Sequence, residues 1–214
     1  MTEGKKPYPA SLSVDYPDRE LNRLTSFFRL IVTIPIAVLL CLVSGAVWES
    51  GEGQQWVVNL SAGGVLFLAT MLMLVFKRKY PRWWFDWNMA LNKSGARVGA
   101  YLALLRDEYP STDEDQAVHI ELPYPDARKD LNQWLPLVKW FLAIPHYIVL
   151  FFLAIAAIFA VIITWFAILF TGRYPKGLFD FVVGVMRWSL RVLAYAALLT
   201  TDEYPPFTLG EQAS

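Results

Sequence analysis

Two stretches of the chain set acids and bases at helical spacing. Asp180, Gly184, Arg187, Arg191 and Tyr195 lie four, three, four and four positions apart, one narrow stripe of a helix. Asp86, Ala90, Lys93, Arg97 and Tyr101 repeat that spacing. Bases so arranged could hold anionic lipid headgroups or a partner's acids, or line a polar path across a membrane. Asp107-Glu108 and Asp202-Glu203 are duplicated carboxylate pairs and, with Asp86 and Asp180, candidate partners for those bases. As metal ligands they are poor, because neighbours in sequence do not face each other on a helix and no third ligand is visible. His119 and His146 are the only histidines, and His146, in an apolar run, is the candidate proton or ligand site. A phosphate-binding glycine loop, His-Glu-x-x-His, paired cysteines and Gly-x-Ser-x-Gly are all missing from the sequence, so it predicts no catalytic set, cofactor or metal.

The elements that must carry these groups are apolar. Of the 214 residues 56% are hydrophobic and 18% charged, outside the usual soluble range. Phe27 to Trp48, Trp56 to Phe76 and Leu137 to Thr171 are nearly free of charge, and spans of about 20 such residues match a bilayer core of roughly 30 Å. The sequence therefore predicts an integral membrane protein. Net charge is zero, which gives no field for nucleic acid. Lysines and arginines cluster before the first run, after the second and around the third, whereas Glu49 to Gln55 has none. The positive-inside rule puts that loop outside and the N-terminus and basic loops in the cytoplasm. Some 26 mostly polar residues precede the first run, which argues for a retained anchor over a cleaved signal. Cys41, the single cysteine, reads as a small core residue.

The chain is also written twice. Tyr16-Pro17-Asp18 returns as Tyr124-Pro125-Asp126, Leu21-Asn22 as Leu131-Asn132, Ile34-Pro35 as Ile144-Pro145, Phe85-Asp86 as Phe179-Asp180 and Asp107-Glu108-Tyr109-Pro110 as Asp202-Glu203-Tyr204-Pro205. This divides the chain into a tail (1–13), a first membrane repeat (14–111), a linker (112–119), a second repeat (120–207) and a C-terminal tail (208–214). The offset falls from 110 to 94, so the second copy lacks sixteen residues, including the external loop.

Basic residues on both sides of 134–170 favour two crossings there, although no Gly, Pro or Asn lies between His146 and Thr171 to make the turn. One alternative is an in-plane helix ending near Ile144 followed by a single long span, and another is a shallow hairpin that never reaches the far leaflet. The expectation is an all-α membrane protein of two copies, each a transmembrane hairpin plus an amphipathic helix, Phe85 to Leu105 and Phe179 to Leu199. Placing these helices in the interface avoids the cost of at least about 2.5 to 3.5 kcal/mol for each arginine near a bilayer centre.

The second copy reads IPHYIVLF, WFAILFTGRYPKGLFDF and RWSLRVLAYAALLTTDEYPPF, and on these motifs it resembles the bacterial membrane-protein family catalogued as domain of unknown function 4389. The first copy looks like a diverged version with an added loop. The resemblance implies the bacterial cytoplasmic membrane and supplies no activity. The functional expectation is a non-enzymatic scaffold or accessory subunit, in which Lys93, Arg97, Tyr101, Arg187, Arg191 and Tyr195 meet membrane lipid, a protein partner or another copy. The alternative is a small transport protein with a pseudo-symmetric polar path between the repeats.

Overall fold

The computed structural model describes residues 8–17, 20–44, 62–111 and 116–210. Among them are two strands, β1 (Ser11–Val14) and β2 (Val118–Glu121), and six helices. The helices are α1 (Arg23–Ser44), α2 (Ala62–Lys77), α3 (Arg82–Leu102), α4 (Leu135–Leu142), α5 (Ile144–Thr171) and α6 (Lys176–Ala196).

Three layers position everything else. The strands form an antiparallel ribbon in which Leu12 faces Ile120. Ser-Leu-Ser-Val and Val-His-Ile-Glu alternate polar and apolar residues, so Leu12, Val14, Val118 and Ile120 point inward and Ser11, His119 and Glu121 outward. Beneath the ribbon, β1 packs on α6 and β2 on α3. In the third layer α6 lies on α5, α3 on α1, α1 on α5, and α2 on α4.

α6 is the central element. Twelve of its 21 residues are buried, against four of 21 in α3, because α6 is enclosed by β1, α5 and the C-terminal segment at once. α4 and α5 form one long rod. Only Ala143 separates them, it is itself right-handed helical, and bonds from Ala143 N to Lys139 O (2.9 Å) and from Tyr147 N to Ala143 O (3.0 Å) carry the helix across. The break falls where Pro145, lacking an N–H, would otherwise leave a gap in the bond ladder.

Three expectations need correction. The chain is mostly helical but not all-α; the two strands are only four residues each, too short for a distinct sequence signal. The compressed hairpin over 134–170 is one continuous 28-residue helix preceded by a short one, which is what the missing turn-formers dictate. α6 is not an interfacial helix with its apolar face in lipid, since that face is buried in protein. The basic-free loop 49–55 and the side chain of Cys41 lie outside the described residues. β1 begins within the expected N-terminal tail, and β2 begins within the expected linker.

Candidate functional site

Each half builds a buried cation at the first turns of its long apolar segment. In the first, Arg29 on α1 is 2% exposed. Its Nη1 donates to the carbonyls of Tyr101 (3.1 Å) and Arg106 (3.0 Å), its Nη2 to Asp107, and it lies 4.5 Å over the Tyr101 ring. Asp107 also accepts the backbone N–H of Asn22 (2.7 Å). In the second, Lys139 on α4 is fully buried, donates to Thr201 O at 2.6 Å, meets Asp202 at 2.7 Å and lies 5.1 Å from the Tyr195 ring. Asp202 likewise accepts the N–H of Asn132. Burial pushes the Lys139 ammonium below the usual lysine range, and Asp202 pulls it partly back.

Four tyrosines of Tyr-Pro corners tie the halves together. The residue before a proline is held extended, so each corner separates helices, and Pro81 and Pro175 sit at the starts of α3 and α6. Tyr16 Oη donates to Tyr174 O (2.5 Å) and Tyr124 Oη to Tyr80 O (2.6 Å). In turn Tyr174 Oη donates to Ala103 O (3.3 Å) and Tyr80 Oη to Leu198 O (2.6 Å). Burial raises the phenols of both Tyr80 and Tyr174, the latter to about 12.

The striped bases turn inward. Arg187 donates from Nε to Leu12 O (2.9 Å) and from Nη1 to Leu209 O (3.1 Å). Arg191, 2% exposed, donates to Thr208 O (3.2 Å) and Gly210 O (2.9 Å). Together they strap residues 208–210 across α6 at Gly184, where a Cβ would come within 2.8 Å of Leu209. Arg97 holds Ser111 O at 2.7 Å. These placements differ from the outward-facing stripe expected for lipid or partner contact, because the carbonyls of short connecting segments need donors and the stripe supplies them. Lys93 and Asp86 are exposed. Asp180 is exposed on a groove of about 660 Å³ shared with Val14, Arg187 and Leu209. Glu108 pairs with Arg106 (2.9 Å), and the Glu203 carbonyl accepts from Tyr8 (3.2 Å).

His146 is fully buried in an aromatic cluster with Trp188, Tyr204 and Phe207. Its ring stacks on Phe207 at 4.0 Å, and its Nδ1 accepts from Trp188 Nε1 at 3.1 Å. An indole N–H can only donate, so the imidazole is neutral with its proton on Nε2. No group of three or more metal-ligating side chains occurs among the described residues.

Arg29 and Lys139 are absent from the sequence-derived set, hidden inside nearly uncharged runs. Their signal was the offset: 139 minus 29 is 110, the same as for Ile34-Pro35 and Ile144-Pro145.

The broadest surface feature is apolar. α5 is long and apolar enough to cross a membrane, and only 11% of its most apolar window is buried. Phe151, Phe152, Ile155, Ile158, Phe159 and Ile162 are exposed along one face, while His146, Ala160, Thr164 and Ile168 are buried on the other. No curated protein and no solved structure matches the chain. One family does: residues 136–208, which take in nearly all of α4, all of α5 and α6 and the segment after α6 as far as Thr208, match the domain of unknown function DUF4389.

Proposed function

We propose that the chain is an internal duplication folded about a pseudo-twofold axis, and that it serves as a non-enzymatic membrane scaffold or accessory subunit seated in lipid by α1, α4 and α5. The observation that carries the membrane part is the unpartnered apolar face of α5, continued by Leu24, Phe27, Phe28 and Ile31 on α1 and Phe141 on α4. A contiguous patch of that kind far exceeds what soluble monomers expose and marks a membrane or protein contact.

The ribbon register supports the duplication. The offset of 108 that carries Tyr16 to Tyr124 maps Leu12 onto its own partner Ile120, and exchanges the pair Ser11·Glu121 with the pair Ser13·His119. The buried cations, the tyrosine bonds and the left-handed residues Leu104 and Leu199 also occur at corresponding positions.

The scaffold reading rests on how the polar groups are used. Arg29 and Lys139 are each matched by an aspartate, and Arg187 and Arg191 hold carbonyls, an arrangement suited to fixing a shape. Lipid contact then falls to exposed bases beside the apolar face, such as Lys129 and Arg173, instead of the stripe.

Membranes carrying the full-length protein, washed with alkaline carbonate, test the reading. The protein is expected to stay in the pellet, and a Phe159→Glu, Ile163→Glu variant to leave it while keeping its helical circular dichroism. Release of the unaltered protein would overturn membrane seating. Cross-linking in native membranes is expected to yield a complex of fixed stoichiometry, and a chain that stays uncross-linked would overturn the scaffold role.

A further inference from the structure

We infer that the α4–α5 rod lies along the membrane in one leaflet and does not cross it. The inference rests on the membrane seating proposed above and concerns how that seating is achieved.

The argument begins with what touches each end of the rod. At its C-terminal end Leu21 N donates to Gly172 O (2.9 Å), Trp165 Nε1 donates to Ser26 O (3.2 Å), and Phe27 stacks on Trp165. That end is therefore beside the start of α1. At the other end Gln133 Nε2 donates to Val75 O (2.6 Å), which puts the start of α4 beside the end of α2. Between the ends, Trp188 and Val192 of α6 meet Val149, Leu150 and Leu153 of α5, while Arg187 on the same stretch of α6 reaches Leu12 at the centre of the ribbon. The ribbon thus lies opposite the middle of the rod, with α6 between them.

This order decides the orientation. Were the rod to cross a bilayer, its middle would sit at the hydrocarbon centre and the ribbon would share that depth. The ribbon has two strands and hence two outer edges, and it exposes Ser11, His119, Glu121 and the neighbouring Asp15. Open sheet edges and charged side chains are not tolerated in lipid. With the rod turned into the membrane plane, the exposed face of α5 enters the acyl region, α3 and α6 lie beneath it, and the ribbon reaches water.

The charge distribution points the same way independently. Both ends of the rod are basic and exposed, with Arg23, Arg173 and Lys176 at one and Lys77, Arg78, Lys79, Arg82, Arg128 and Lys129 at the other. A crossing rod would send one cluster to the far side, against the positive-inside rule. In the plane, both meet the headgroups of one leaflet, and anionic phospholipid is the complementary surface. The even parity of charge that suggested two crossings is met equally by none.

Single cysteines at Lys129 and Arg173, exposed positions at the two ends, test this in a Cys41→Ser background of the full chain. In inside-out vesicles an impermeant maleimide is expected to label both, and in right-side-out vesicles neither. Labelling from opposite sides would overturn the in-plane rod while leaving membrane seating intact. Loss of the unaltered protein from carbonate-washed membranes would remove the seating and the orientation together. Depth gives a second readout in phosphatidylcholine and phosphatidylglycerol vesicles containing brominated lipid. Fluorophores attached at positions 144, 158 and 170 are expected to share one shallow quenching profile, whereas a crossing rod places position 158 deepest.

Discussion

The Arg29 node and the Lys139 node lie 110 positions apart, the spacing of Ile34-Pro35 and Ile144-Pro145, yet they solve one problem with different chemistry. Arg29 supplies a planar fork that reaches two carbonyls and a carboxylate and covers a tyrosine ring. Lys139 is a point charge with one carbonyl, one carboxylate and a ring. Guanidinium cannot lose its proton in a protein, whereas a buried ammonium can. The first node is thus a permanently charged clamp, and the second depends on its aspartate to stay charged.

Removing the aspartates should separate the two most strongly. Asp202→Ala and Asp107→Ala each leave a buried cation short of its countercharge, at a cost of about 3 to 5 kcal/mol in unfolding measured in mild detergent. The pH dependence should then differ. Lys139 is already held below the ordinary lysine value, and losing Asp202 lowers it further. As pH rises through that folded-state value, the unfolded chain keeps a proton that the folded chain has released, so stability recovers toward about pH 10. A guanidinium has no such release. Asp202→Ala should therefore regain stability as pH rises toward the ordinary lysine value of about 10.4, and Asp107→Ala should not. Parallel curves would break the distinction between the nodes.

The comparison also explains what the sequence disclosed. Landmarks built on Tyr-Pro and Asp-Glu were legible because proline and paired acids are rare in apolar chain and stand out at fixed offsets. The partners of Asp107 and Asp202 were not, since a lone base two residues inside an apolar run reads as the edge of a span. The continuity of α5 follows from its lack of turn residues, whereas charge parity asks only for an even number of crossings. The inward use of Arg187 and Arg191 could not be read from spacing, because a helical stripe records which residues share a face and leaves open what covers it.

A middle-sized effect distinguishes the two tyrosine corners. The Tyr174 phenol is raised to about 12, so above its ordinary value of 10.0 the unfolded chain ionises while the folded chain holds its proton. Stability should fall between those values by about 2 to 3 kcal/mol, and Tyr174→Phe should remove that part of the slope. Tyr80, raised further with Tyr124 beside it, should begin its loss at the same pH and carry it to higher pH. At neutral pH Tyr80→Phe should cost more than Tyr174→Phe, by up to about 1 kcal/mol, because its bond is 2.6 Å against 3.3 Å. Equal costs at neutral pH, with a common alkaline midpoint, would make the corners interchangeable.

The smallest effect concerns the residues that end α2 and α5. Gly172, directly after α5, takes φ +73°, and Arg78, directly after α2, takes φ +49°. A side chain in the left-handed region costs about 1 to 2 kcal/mol, partly offset by the roughly 0.5 to 1 kcal/mol of chain entropy that glycine loses on folding. Arg78→Gly should accordingly gain about 0.5 kcal/mol. Gly172→Ala should lose about 1 kcal/mol, since its Cβ also meets Glu20 Oε2 at 3.2 Å. The pair of changes sharpens the comparison. If Arg78→Gly loses stability instead, the guanidinium must contribute more at that corner than its backbone strain costs. Loss of stability with unchanged membrane retention would place that contribution within the protein, whereas weaker binding to anionic vesicles would place it at the headgroups.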